Sequence, residues 1–166
     1  MPRKRKSASV VTGIGMTAKQ MRRKKPINSD FLVDIQALTE NQTKFFDDYK
    51  AGKNIFAYGC AGTGKTFIAI YNALKEVLDH TTPYQKIYIV RSLVATREIG
   101  FLPGDHEDKA FLYQIPYKNM VKYMFEMNTD ADFEMVYGNL KMQETISFWS
   151  TSFIRGTTLD SSIVIV

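Results

Sequence analysis

At 166 residues, with 45% hydrophobic and 23% charged residues, the chain can build one core of ordinary size in a soluble globular domain. It has no apolar run near the ~20 residues of a membrane helix and no secretory-type apolar leader; its single cysteine, Cys60, excludes an internal disulfide and suits a cytoplasmic location. The net charge of +5 is uneven, because nine of the 22 basic residues and none of the 17 acidic ones fall in the first 25 positions.

In chain order, residues 1–26 are expected to be a disordered basic tail, from Pro2-Arg3-Lys4-Arg5-Lys6 to Arg22-Arg23-Lys24-Lys25-Pro26. Such clusters are either solvated ends or contacts to a nucleic-acid backbone, for which Arg22, Arg23, Lys24 and Lys25 are the candidates. The first cluster also has the form of a nuclear-import signal, a weakly specific pattern. Residues 28–38 should lead onto the surface of a domain spanning 27–166. Thr39 is a plausible N-cap for a helix running to about Tyr49, which Gly52 closes.

Asn54 to Tyr58 reads as a strand, and Phe67 to Leu78 as a helix. Between them, Gly59-Cys60-Ala61-Gly62-Thr63-Gly64-Lys65-Thr66 matches Gly-x-x-x-x-Gly-Lys-[Ser/Thr], the phosphate-cradling loop of nucleoside triphosphatases. The glycines let backbone N–H groups turn inward on phosphates, Lys65 brings positive charge, and the Thr66 hydroxyl suits Mg²⁺. The alternative is a Gly-rich structural turn. The order strand, loop, helix favours binding of ATP or GTP.

Lys86 to Arg91 reads as a second strand, completing a parallel β-α-β unit with the first. Leu93 to Asp105 should be a loop or short helix. A helix over 106–127 should break near Ile115-Pro116. Further expectations are a strand around Phe133 to Val136, a helix around Leu140 to Thr145, an extended segment at Ile146 to Trp149, and a buried-type strand at Ile163 to Val166. In phosphate-loop enzymes such an apolar run precedes the acidic residue that orders Mg²⁺. Here the run ends at Val166, so the chain is expected to be a fragment cut just short of that residue.

Other candidates favour plain readings. Cys60 sits where a thiol can become reactive, but a buried inert thiol is the commoner case. His80 and His106 stand apart, which disfavours zinc, and Asp105, Glu107 and Asp108 suit a helix start. Phe111, Tyr113, Tyr117, Tyr123 and Phe125 could stack bases. Interleaved with Met120, Met124 and Met127, they are read as core, as is Trp149.

Four segments together resemble the PhoH-like family of phosphate-loop ATPases, particularly its phage-type members. They are Gly59 to Thr66, Ile89-Val90-Arg91 with its following loop, Gly100-Phe101-Leu102-Pro103-Gly104-Asp105, and Arg155-Gly156-Thr157-Thr158-Leu159-Asp160. The resemblance runs from Gln42 to Val166. It implies a RecA-like parallel sheet with helices on both faces, incomplete at its C-terminus, and ATP with Mg²⁺ as ligands. In the whole protein it implies hydrolysis coupled to binding or remodelling RNA or single-stranded nucleic acid, in the cytoplasm (a host's, if phage-encoded). It places Gln42 at the adenine edge, Lys65 and Thr66 in the catalytic machinery, and Arg91 and Arg155 near nucleic acid. The family pattern continues with an Asp-Glu pair and further strands that do not follow here, so this chain by itself is expected to be a poor ATPase. The rival readings are a small-molecule kinase and a non-enzymatic, nucleotide-gated nucleic-acid module. Oligomeric state stays open.

Overall fold

The structure, a computed structural model, describes residues 27–92, 106–152 and 154–166, with two short strands before them. Those two, β1 (Val11–Thr12) and β2 (Met16–Thr17), pair antiparallel, where the sequence suggested only disorder. The rest of the basic tail, including Arg22 to Lys25, and the segment 93–105, expected as a loop or short helix, lie outside the described residues.

The centre is a parallel sheet of three strands in the order β4-β3-β5. β3 (Lys86–Arg91) has β4 (Ile146–Ser150) on one side and β5 (Ser162–Ile165) on the other. In β3, Ile87, Tyr88, Ile89 and Val90 are all buried, so both faces of the middle strand are covered, as the continuous apolar run of a parallel strand requires. Ile87 and Ile89 join the main core with Ile70, Leu74, Val121, Phe133 and Leu140. On the opposite face Tyr88 meets Trp149 edge-on, ring centroids 5.7 Å apart. The fold is α/β, with a parallel sheet and packed helices.

Among the described residues four α-helices accompany the sheet: α1 (Glu40–Lys50), α2 (Lys65–Val77), α3 (His106–Met124) and α4 (Asp130–Met142). Thr39 caps α1 as expected, its hydroxyl accepting from the Gln42 N–H at 3.3 Å. Among the described residues, no helix is long and apolar enough to cross a membrane.

Several expectations need correction. Asn54 to Tyr58 is not a strand. It cannot pair with β3, because both edges of β3 are taken by β4 and β5, so the expected β-α-β pairing does not form. Phe56 and Tyr58 instead stack on each other at 6.3 Å and are 88% and 85% exposed. The last strand is partly exposed rather than buried, and among the described residues it pairs only with β3: Val164 is 41% exposed. Phe133 to Val136 is helical, within α4. Thr129 caps that helix by accepting from the Asp132 N–H at 3.2 Å, and Phe133, Tyr137 and Leu140 recur at helical spacing and are buried. That helix ends at Met142, short of Thr145.

Pro116 does not break α3. An interior proline costs about 3 kcal/mol, but Tyr117, Val121 and Met124 beyond it are buried. Each such side chain contributes roughly 1.5–3 kcal/mol, so packing holds the helix together. Residues 27–35 form a strap across its end. The Val33 N–H donates to the Met124 carbonyl at 2.8 Å, and the Glu126 N–H to the Phe31 carbonyl at 3.0 Å. Tyr117 and Phe125 are core as expected, whereas Tyr123 is 71% exposed and touches the edge of Phe67; its helix face turns away from the sheet.

Candidate nucleotide-binding site

The loop from Gly59 to Thr66 opens directly into α2, whose first residue is Lys65. A connection of eight residues, 78–85, joins the end of α2 to the start of β3. The thirteen residues of α2 and the six of β3 each span about 20 Å, and the helix packs on the sheet. It therefore runs back along the strands. Its N-terminus lies toward their carboxyl ends, where ligands of α/β folds are held.

Gly62 and Gly64 have φ of +79° and +82°, a region that glycine enters freely and side-chain-bearing residues avoid. Among the described residues, none of the backbone N–H groups from Gly59 to Phe67 has an acceptor; the first that does is Ile68, which bonds the Gly64 carbonyl at 2.9 Å. A run of unpaired N–H groups at a helix N-terminus, reinforced by the helix dipole, suits a phosphate group.

The Lys65 ammonium donates to the carbonyls of Gly59 at 2.9 Å and Cys60 at 2.5 Å, and to the Thr63 hydroxyl at 3.3 Å. The Thr63 hydroxyl in turn donates to the Cys60 carbonyl at 3.0 Å. No carboxylate pairs with Lys65 among the described residues, so in this structure its ammonium is met by neutral oxygens of the loop. Cys60 is exposed, against the expectation of a buried thiol: the loop lifts it away from the core. Thr66 is exposed and its hydroxyl has no partner among the described residues, which leaves it able to ligate Mg²⁺, an ion bound through few protein oxygens with phosphate and water completing the shell. No group of three or more His, Cys, Asp or Glu side chains that could hold a metal occurs among the described residues.

Gln42, expected at the adenine edge, lies beside the loop with both ends of its amide engaged. Its Oε1 accepts from the Leu38 N–H at 2.8 Å, and its Nε2 donates to the Thr63 carbonyl at 3.3 Å. The amide thus ties α1 to the phosphate loop. Sequence reading had no means of finding this contact, since 21 positions separate its partners.

Arg91 ends β3, exposed, with its guanidinium 5.8 Å from the centroid of the Tyr117 ring, a cation–π placement. It makes no ion pair among the described residues. The Arg91 carbonyl accepts from the Thr151 N–H at 3.1 Å, and the Ser150 carbonyl from Ile154 at 3.2 Å. The turn leading to exposed Arg155 therefore starts at the same carboxyl end of the sheet.

The family model described as PhoH-like protein matches residues 34–166. A PhoH-like protein of Mycobacterium leprae is 29% identical over 133 residues, covering 80% of this chain and 36% of that protein. Protein PhoH of Escherichia coli K12 is 30% identical over 132 residues, 80% of this chain and 36% of its own length. Protein PhoH2 of Bacillus subtilis is 26% identical over 109 residues, 65% of this chain and 24% of the relative. The chain thus spans between about a quarter and just over a third of the length of these relatives. With a family match over four-fifths of its residues, centred on the loop and sheet just described, the chain belongs to the PhoH-like protein family.

Proposed function

We propose that this chain binds ATP with Mg²⁺ on the loop from Gly59 to Thr66. The observation that carries the reading is the row of backbone N–H groups from Gly59 to Phe67 without acceptors among the described residues, in the same loop as a lysine that has no carboxylate partner among them. A polyphosphate supplies the acceptors and the countercharge together. Lys65 exchanges the Gly59 and Cys60 carbonyls for phosphate oxygens, and Thr66 offers its hydroxyl to the metal. Mg²⁺ would neutralise charge on the phosphates.

In a protein of the relatives' length, we propose further, ATP binding is coupled to hydrolysis and to contact with RNA or single-stranded nucleic acid. Support for the nucleic-acid partner is Arg91 and Arg155 near one end of the sheet, together with the nine bases of residues 1–25. Hydrolysis needs acidic groups to order Mg²⁺ and activate water, roles to which no described residue is assigned. Phosphate release measured with no additive, with RNA, with single-stranded DNA and with small hydroxyl acceptors tests the coupling. Stimulation by RNA alone supports it. Phosphoryl transfer to an acceptor would make the protein a kinase, and nucleic-acid binding without turnover would make it a gated binding module.

A further inference from the structure

We propose that Gln42 is a positioning residue for the phosphate loop and is indifferent to the base, an inference that rests on the loop binding a polyphosphate. Its amide orientation is dictated by backbone on both sides. Leu38 offers an N–H, which only Oε1 can accept, and Thr63 offers a carbonyl, to which only Nε2 can donate. Turning the amide over would set donor against donor and acceptor against acceptor. Reading adenine calls on the same two atoms, Oε1 to accept and Nε2 to donate. In this structure they serve the chain itself.

The bond to Thr63 has a geometric consequence. A trans peptide is planar, with its carbonyl and N–H on opposite sides. By holding the Thr63 carbonyl, Gln42 directs the Gly64 N–H away from itself, and that N–H belongs to the unpaired row. Gly64 takes φ +82°, and a Cβ on it would lie 3.5 Å from the Gln42 Nε2. The amide therefore packs directly behind the last loop residue before α2.

Gln42 is itself well anchored. Its N–H is capped by Thr39 at 3.3 Å, and its Oε1 grips Leu38, in the segment that follows the strap. Three residues earlier the Ile35 N–H donates to the hydroxyl of Tyr71, a buried residue of α2, at 3.2 Å. The segment before α1 is thus tied to α2 at two places, through Tyr71 in the helix body and through Gln42 at the loop that starts it. Removing the amide frees the Thr63–Gly64 peptide to rotate, and the polyphosphate then has to order it on binding.

The test uses calorimetry with three probes, each with Mg²⁺: ATP, GTP and inorganic tripolyphosphate. The proteins are wild type, Gln42→Ala, Gln42→Met (which keeps a side chain of similar length behind Gly64 but makes neither hydrogen bond) and Lys65→Ala. Two lost neutral hydrogen bonds should weaken binding by roughly five- to a hundredfold, by the same factor for all three probes and in both Gln42 variants. A merely stabilising role would lower the unfolding midpoint and leave affinity unchanged, which would overturn the proposal. A loss confined to ATP, with tripolyphosphate bound as by wild type, would overturn it in favour of base reading. Absence of binding by wild type, or wild-type affinity in Lys65→Ala, would remove the phosphate-loop reading and this proposal together.

Discussion

Replacing Tyr137 with Phe should stabilise the protein at neutral pH and reduce its sensitivity to alkali. The Tyr137 ring is buried in α4, stacked on Phe133 at 5.6 Å, with the Lys118 ammonium 5.6 Å from its centroid. Its hydroxyl is buried with no hydrogen-bond partner among the described residues. Such a group forfeits its bonds to water on folding, a cost of about 1–3 kcal/mol. Tyr137→Phe keeps the ring and removes the cost, so stability should rise by roughly 1 kcal/mol, or about 2–4 °C in Tm for a protein of this size. Burial, with the neighbouring Glu134 charge adding to it, also pushes the phenol up to about 12. The unfolded phenol ionises near 10. The folded pKa is raised, so the unfolded state loses the proton first. Stability is intact below pH 10 and falls as pH climbs toward 12, at up to about 1.4 kcal/mol per pH unit from this one group. Guanidinium unfolding at pH 7, 9 and 11 should show wild type losing more stability than the variant between the last two. A variant less stable than wild type by over about 1 kcal/mol at pH 7 would mean that the hydroxyl has a partner, and equal pH slopes would refute the titration argument.

Cys60 is exposed and lies in the loop, so ATP with Mg²⁺ should slow its alkylation, and mass spectrometry should show equal rates with and without adenosine. Deleting residues 2–25 removes nine positive charges; affinity for RNA should fall and its dependence on salt should flatten, and an unchanged slope would reduce the tail to a solubilising role. The edge of β5 that is unpaired among the described residues, with Val164 part-exposed, and the exposed Phe56–Tyr58 pair should drive self-association. Sedimentation should therefore show Val164→Lys shifting the protein toward monomer, and a wild type that is already monomeric at high concentration would contradict this.

Much of the site was legible in sequence because its signals are local. The Thr39 cap, the β3 run Lys86 to Arg91 and the passage from the glycine loop into a helix each depend on a few neighbouring residues; the structure places the first two where expected and starts the helix at Lys65, two residues before the expected Phe67. What failed depended on distant partners. Asn54 to Tyr58 has a strand-like composition, yet a strand exists only where it pairs with a neighbour, and this segment pairs with none among the described residues. Phe133-Glu134-Met135-Val136 looked β-like in a four-residue window, while the helical period becomes visible only on extending to Tyr137 and Leu140. Pro116 signalled a break that packing of Tyr117, Val121 and Met124 overrides. The link from Gln42 to Thr63 spans 21 positions and leaves no periodic trace.

Lys65→Ala tests the central claim most directly. The ammonium contacts the Gly59 and Cys60 carbonyls and has no carboxylate partner among the described residues, so truncating it should leave the fold intact and remove the one formal positive charge on the loop. A hydrogen bond between charged groups is worth about 1.5–3 kcal/mol, equivalent to roughly ten- to a hundredfold in affinity. Titration calorimetry with ATP and Mg²⁺, beside an unfolding curve to show that the variant is folded, should find binding weakened by at least that factor. A folded Lys65→Ala protein that binds ATP as tightly as wild type would contradict the assignment of the loop from Gly59 to Thr66 as the phosphate site.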